Sequence, residues 1–273
     1  MNKAELYLDS LSWLSDIQAS KTYLDEVGVF ELLNSVFNAS QKKDGILNAV
    51  DIQNVEPFRP DYCDLAKLHF LARKHKSIEV LEFGSGFSTM ILAHAMKLNR
   101  NDFLEKVQGK FRNPNLFCCV SVEENQVFFN ATKRYLEDTN LDPFGSVVLS
   151  SVTGIDHLGR VATIYESIPA VSPDFVFLDG PSQFAWTGSI RNVQTNDVRR
   201  MPMSADLIAL EYYLEPGTII LVDGRTNNAR FLRDFFRRRW VYAHDIEQDL
   251  SCFVLDEPPI GLLNRAKMQF WEE

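Results

Sequence analysis

The chain has 273 residues, 45% of them apolar, which is enough to bury a large core as one big α/β domain with an accessory segment. Its formal net charge of −9 disfavours a general nucleic-acid surface, because phosphate binding calls for a basic face. No uninterrupted apolar span is long enough to cross a bilayer, and the amino terminus lacks the basic-then-apolar pattern of a signal peptide, so a cytoplasmic protein without membrane contact is expected.

Residues 1–55 read as a separate helical unit. Leu6, Leu11, Trp13, Leu14 and Ile17 recur at helical spacing, as do Val29, Leu32, Leu33, Val36 and Phe37, and they predict two or three amphipathic helices. Gln41 to Gly45 marks a break, and Glu56 to Asp61 an extended link, so that a second unit covers residues 56–273. The helical unit can cap a cleft, bind substrate, make a homodimer contact or simply extend the core.

Ile78, Val80, Leu81 and Phe83 then read as a buried strand and Met90 to Met96 as a helix packed back onto it. Between them runs Glu82-Phe83-Gly84-Ser85-Gly86-Phe87-Ser88-Thr89. Without Cβ atoms, Gly84 and Gly86 let the backbone turn sharply and let a ligand approach the free N–H groups of a helix start. A dinucleotide site calls for a third glycine where Thr89 stands, and Glu82 would repel a pyrophosphate; the cationic amino-acid end of S-adenosylmethionine meets neither objection.

This stretch resembles motif I of the class I S-adenosylmethionine-dependent methyltransferases, in a Glu-x-Gly-x-Gly-x-Ser-Thr form. The resemblance implies cofactor contacts at Glu82, Gly84, Ser85, Gly86, Ser88 and Thr89. After a polar stretch from Lys97 to Asn115, read as an inserted loop or a helix extension, Leu116 to Val122 forms another apolar strand that ends in Glu123-Glu124. An acid at that place holds ribose hydroxyls in related folds. The resemblance gives this role to Glu123; either acid can also be a solvated strand end.

Ser146 to Val152 resembles the third strand of the family, with Ser151 and Val152 beside the adenine ring. Pro173 to Pro181 and Pro216 to Gly224 are apolar strands ending in Asp179-Gly180 and Asp223-Gly224. Open parallel sheets bind ligands at the carboxyl ends of their strands, and Glu82, Glu123, Asp179 and Asp223 all stand at such ends. Asn227 to Arg239 fits a helix with one apolar face, and Trp240 to Ile246 with Ser251 to Leu255 fits a closing hairpin. The resemblance thus spans roughly Asp61 to Asp256. It implies a doubly wound α/β fold with a mostly parallel seven-stranded sheet and a terminal antiparallel hairpin.

The polar segment after Asp179 leaves the sheet at its ligand edge, which makes Gln183, Trp186 and Arg191 candidate substrate contacts. Ser204 is placed to cap a helix reaching Leu214. Arg225 and Arg230 can hold a substrate carboxylate or phosphate, or occupy an exposed helix start. His157 is a weaker candidate for a base or a cofactor contact.

Asp179 and Asp223 occupy the strand ends that supply metal-binding acids in catechol O-methyltransferase-like enzymes, so Mg2+ is a candidate second cofactor, with Asn227 or Asn228 adding a ligand. Those enzymes carry an asparagine after the second acid, whereas this chain has Gly224. The alternative is catalysis by Asp179 as a metal-free base, with Asp223 beside it.

Cys63, Cys118, Cys119 and Cys252 lack CxxC spacing, so neither a zinc site nor a redox pair is indicated, and Cys118 and Cys119, in an apolar strand, read as core residues. The resemblance implies a methyltransferase using S-adenosylmethionine, O-directed, acting on a small polar molecule. The rivals are a non-catalytic cofactor-binding module with this fold and an NAD-dependent oxidoreductase.

Overall fold

A computed structural model describes residues 1–43, 59–111, 113 and 115–273, with the side chains of residues 40–43 left aside. Strands β1 (Glu79–Phe83), β2 (Cys118–Glu123), β3 (Gly145–Leu149), β6 (Phe175–Leu178), β7 (Ile219–Asp223), β8 (Trp240–Asp245) and β9 (Leu250–Leu255) form one seven-stranded sheet in the order β3-β2-β1-β6-β7-β9-β8. The first five strands in that order are parallel, and β9 runs antiparallel to both β7 and β8. Strands β4 (Val152–His157) and β5 (Arg160–Tyr165) make a separate antiparallel pair.

Every residue of β1 is buried, as expected of a parallel strand covered on both faces. Side chains alternate between those faces. Val80, Cys119, Phe175, Phe177, Ile219 and Leu221 face one core. That core is closed by helices α1 (Lys3–Asp9), α4 (Tyr62–Lys74), α5 (Phe87–Val107) and α9 (Leu262–Glu272), through Leu8, Leu68, Leu92 and Phe270. Leu81, Phe83, Val122, Val176, Leu178 and Val222 face the other, with Leu207 of α7 (Asp206–Leu210) and Leu232 of α8 (Thr226–Phe235). By this alternation Glu82 shares the face of Val80, Glu123 that of Cys119, and Asp223 that of Leu221. The strand-end acids therefore point toward the α4–α5 side of the sheet.

Helix α5 is the central helix, buried without interruption from Thr89 to Met96, and it extends to Val107, so the polar stretch after Lys97 begins as a helix extension. Helix α6 (Gln126–Asp138) packs beside it, capped by Asn125, whose side chain accepts from the Val127 amide.

The amino-terminal helices are built into this core. An Asn2–Glu5 capping box starts α1, and Asn2 also reaches the Tyr242 carbonyl on β8. Leu14, Leu24 of α2 (Ile17–Glu26), Val29, and Leu33 and Val36 of α3 (Phe30–Lys43) pack with Met90, Ile91 and Ala93 of α5. Helix α3 runs through the expected break as far as Lys43; the rest of that break, most of the extended link and the boundary at residues 55 and 56 lie outside the described residues.

Three features differ from the sequence reading. The third strand stops at Leu149, and Val152 instead opens the β4–β5 hairpin. Its two-residue turn, Leu158 and Gly159 at φ 51° and 84°, has the positive dihedrals that match strand twist, and Asp156 accepts from the Gly159 amide. Ser204 does not cap α7: its hydroxyl donates to the Asp206 carboxylate, and its backbone pairs with the Asn228 carboxamide. Finally, α9 returns under the sheet, where Trp271 stacks on His75 at 4.8 Å and Lys267 pairs with Glu215 at 3.1 Å.

Candidate cofactor and acceptor site

The turn after β1 is shaped by two glycines in conformations that L side chains rarely adopt, Gly84 at φ +97° and Gly86 at φ +154°. The Gly84 amide donates to the Val122 carbonyl, and a Cβ on Gly84 would sit 3.2 Å from the Gly180 nitrogen. Gly86 differs. A Cβ there would meet nothing within 4 Å, so the turn offers bare backbone to open space at the start of α5.

Glu82 lies beneath this turn with 1% of its surface exposed. Thr89 donates to its carboxylate at 2.6 Å, Ser121 donates to it as well, and Ser88 adds a further side-chain bond. Thr89 in turn accepts from the Gly86 amide. Burial pushes Glu82 up to about 7, and the three hydroxyl bonds work against that rise. The acid thus braces the turn from below instead of lying open on its rim.

Glu123 stands at the neighbouring strand tip, 3% exposed. It accepts from Ser85 in the turn at 2.7 Å and from the Asn125 amide at 2.8 Å, and Ser85 accepts from Thr132 of α6. Burial, then the adjacent Glu124 charge, raises it to about 7. The Ser150 amide donates to the Glu123 carbonyl, which sets exposed Ser151 and half-buried Val152 along the same rim. The sequence-predicted set of Glu82, Gly84, Ser85, Gly86, Ser88, Thr89, Glu123, Ser151 and Val152 is therefore contiguous.

Asp179 follows β6 and its amide donates to the Phe83 carbonyl, so it sits at the edge of the glycine turn. The segment from Asp179 to Ser182 is held on both flanks. Arg225 donates to the carbonyls of Pro181, at 2.9 Å, and Asp179, and its Nε lies 3.7 Å from the Asp179 carboxylate. Opposite, Glu124 accepts from the Ser182 amide and from the Tyr165 hydroxyl, both at 2.9 Å. Tyr165 stacks on Phe83. Burial pushes Asp179 up to about 6 against the lowering effect of the Arg225 charge, and with 58% of its side chain open to solvent the carboxylate stays largely ionised at neutral pH.

Asp223 is half-buried and has no salt-bridge partner among the described residues. Burial, then Asp64 on α4 and Asp179, pushes it up to about 7. Beside it opens a pocket of about 110 Å³ lined by Met201, Pro202, Gly224, Thr226, Asn227 and Asp249, with Arg225 at its wall.

The other substrate candidates are used to fold the segment they lie on. Gln183 donates to the Asp197 carbonyl, and Arg191 pairs with Asp156 on the β4–β5 hairpin with 67% of its side chain exposed. Trp186 fills a slot between Gly154 and Gly188, where added Cβ atoms would lie 2.3 Å and 2.6 Å from its ring. His157 packs edge-on against Phe231 and Phe235. Glu124 and Tyr165 were missed by sequence reasoning: Tyr165 lies on the unread hairpin, and Glu124 stood beside Glu123 with nothing to separate their roles.

The donor set does not fit a divalent ion. Among the described residues no three His, Cys, Asp or Glu side chains gather in a metal-binding arrangement. Asp179 already faces a guanidinium, Gly224 carries no side-chain oxygen, and the Asn228 carboxamide is spent on Ser204, which leaves Asn227, on the pocket wall, as the one amide of the expected pair.

No family model matches this sequence, and no curated protein matches it. Among solved structures, it is similar to an O-methyltransferase from Bacillus cereus in complex with SAH, at 15% identity and TM-score 0.44, covering 86% of this chain and 97% of that one. The Podospora anserina methyltransferase PaMTH1, SAH-bound, is similar at 12% identity and TM-score 0.48, covering 83% and 88%. Cofactor-bound Rv0187 from MTB is similar at 16% identity and TM-score 0.42, covering 87% and 96%. At these values the fold is carried by the strand order itself, five parallel strands wound outward from β1 and closed by an antiparallel pair. This is the strand order that the resemblance to class I methyltransferases implies. In an open parallel sheet of this order, the tips of β1, β2, β6 and β7 form one rim, and here each carries a carboxylate.

Proposed function

We propose that this chain is an S-adenosylmethionine-dependent methyltransferase that transfers the methyl group to an oxygen of a small polar acceptor. The observation that carries the reading is the linked tip of β1 and β2: a bare Gly84-Ser85-Gly86 turn braced by buried Glu82 and tied through Ser85 to Glu123. Glu123 takes the ribose hydroxyls, exchanging its bond to Ser85 for bonds to the sugar. Ser151 and Val152 border the adenine. The amino-acid end lies along the turn, toward Asp179.

The sulfonium brings an activated methyl group, so the protein has to align the acceptor and remove its proton. Asp223, raised to about 7, is matched to that proton transfer at neutral pH. Asp179, ionised and fixed by Arg225, orients the acceptor hydroxyl. The pocket at Asn227 and Asp249 receives the rest of the acceptor, while Gln183, Trp186 and Arg191 shape the wall above it.

Isothermal titration of the full chain with S-adenosylhomocysteine, NAD and NADP tests the cofactor class. Saturable heat with S-adenosylhomocysteine alone is expected. Heat with NAD and none with S-adenosylhomocysteine would replace this reading by the oxidoreductase one.

A further inference from the structure

Arg225 is a buried cation set among strand tips that carry acids. Only 8% of its surface is exposed, at the wall of the pocket beside Asp223, and its fixed bonds run to the protein. Its guanidinium instead reaches back across the sheet edge from β7 to β6, bonding the carbonyls of Asp179 and Pro181 and lying 3.7 Å from the Asp179 carboxylate. A planar guanidinium fork with several fixed donors suits a task of holding two carbonyls and a carboxylate at once. Glu124 completes the clamp from β2 through the Ser182 amide and Tyr165.

We propose that Arg225 is the resident cation of this site, a positioning residue whose guanidinium neutralises Asp179 and sets the 179–182 segment for the acceptor, in the place where related folds use a divalent ion. The proposal rests on the methyltransferase reading of the rim. A small divalent cation wants a shell of oxygen donors, close to six for magnesium. Here Gly224 supplies no side-chain donor and Asn228 is occupied by Ser204. An ion against Asp179 would also have to share that carboxylate with the fixed Arg225 charge 3.7 Å away, and like charges repel.

Two measurements on the full chain test this, neither of which uses the cofactor, so their failure is distinct from failure to bind S-adenosylhomocysteine. In the first, Mn2+ is titrated into the protein and free ion is read by electron paramagnetic resonance. The ion stays free up to about 1 mM, the weak end of protein cation sites; uptake of one equivalent at a tenth of that concentration, abolished in Asp179→Asn and in Asp223→Asn, overturns the proposal. In the second, carbon-13 carboxyl resonances of aspartate are followed with pH in wild type, Arg225→Gln and Arg225→Lys, each checked for fold by circular dichroism. Arg225→Gln raises the midpoint of Asp179 by about one unit and Arg225→Lys restores most of it; a midpoint unmoved in Arg225→Gln refutes the role. Should Arg225→Gln fail to fold, Arg225→Lys and the wild-type Mn2+ titration still decide.

Discussion

Gly180 and Gly84 meet backbone to backbone at the tips of β6 and β1: a Cβ on Gly180 would lie 2.4 Å from the Gly84 nitrogen and 2.7 Å from its Cα. Neither neighbour is the far end of a flexible side chain, so a methyl group there must push two strands apart. Gly180→Ala is expected to lower stability by about 1–3 kcal/mol, as overpacking does, and to weaken S-adenosylhomocysteine binding with it. Urea unfolding followed by circular dichroism checks the first effect. Wild-type stability in the variant would show that the two tips are not in contact.

Gly86 gives the contrasting case. It has space around it but a φ of +154°, so Gly86→Ala adds backbone strain of about 1–3 kcal/mol and puts a methyl where a cofactor approaches. Affinity for S-adenosylhomocysteine is expected to fall at least about tenfold, the equivalent of roughly 1.4 kcal/mol. Titration calorimetry on a sample shown to be folded reads this directly, and an unchanged Kd would mean that the ligand does not pass over Gly86.

Glu123→Gln is expected to weaken S-adenosylhomocysteine about tenfold or more, because a charged acceptor bonded to ribose hydroxyls contributes roughly 1.5–3 kcal/mol. Its effect on stability is modest by comparison: Ser85 and the Asn125 amide donate to different oxygens of Glu123, so Gln keeps one of the two bonds, and the Ser85 hydroxyl can turn to accept from the new NH2. A variant that binds as well as wild type removes Glu123 from the cofactor site.

Buried Glu82 makes stability depend on pH in a defined direction. Its folded value of about 7 lies above the ordinary 4.5, so the folded state holds the proton more tightly. That contribution is complete below pH 4.5 and is lost as pH rises through 7, on the order of 3 kcal/mol. Glu82→Gln, which cannot ionise, should lack this loss and gain on wild type between pH 5 and pH 8 on the order of that amount. Parallel urea midpoints would contradict it. Glu82→Ala is different: it leaves the Thr89 and Ser121 hydroxyls without their acceptor, and should loosen the turn and abolish S-adenosylhomocysteine binding.

A histidine pair acts with the opposite sign. His69 and His94 are bonded at 3.1 Å between α4 and α5, with Tyr23 of α2 on the far side of His69 and Arg73 and Lys97 nearby. Burial depresses both, His94 from 6.5 to about 4. Their contribution is complete above pH 6.5 and is lost as pH falls toward 4. His94→Gln is expected to flatten this acid-side loss in denaturant midpoints taken at pH 7.5, 6 and 5, and an undiminished loss would place its cause elsewhere.

Much of this rim is legible in the sequence because parallel strands announce themselves. Apolar runs that end in an acid and a glycine, at Glu82, Asp179 and Asp223, locate strand tips without any knowledge of packing. The closing hairpin is equally plain in its alternation. What escaped is set by tertiary contact. The β4–β5 hairpin is half exposed and carries few apolar residues on its first strand, so Val152 read as the end of a third strand. Helix α9 earns its place through Phe270 and Trp271, whose partners lie far away in the chain. Arg225 read as a candidate for substrate, since nothing local reveals that β6 lies within its reach.

The central claim is that a sulfonium nucleoside sits across Gly84 and Gly86 with its sugar on Glu123. A crystal structure of the chain grown with S-adenosylhomocysteine measures this most directly. The account predicts ribose hydroxyls within hydrogen-bond distance of the Glu123 carboxylate and the nucleoside spanning the turn. Density for the nucleoside elsewhere, with the turn and Glu123 untouched, would contradict it.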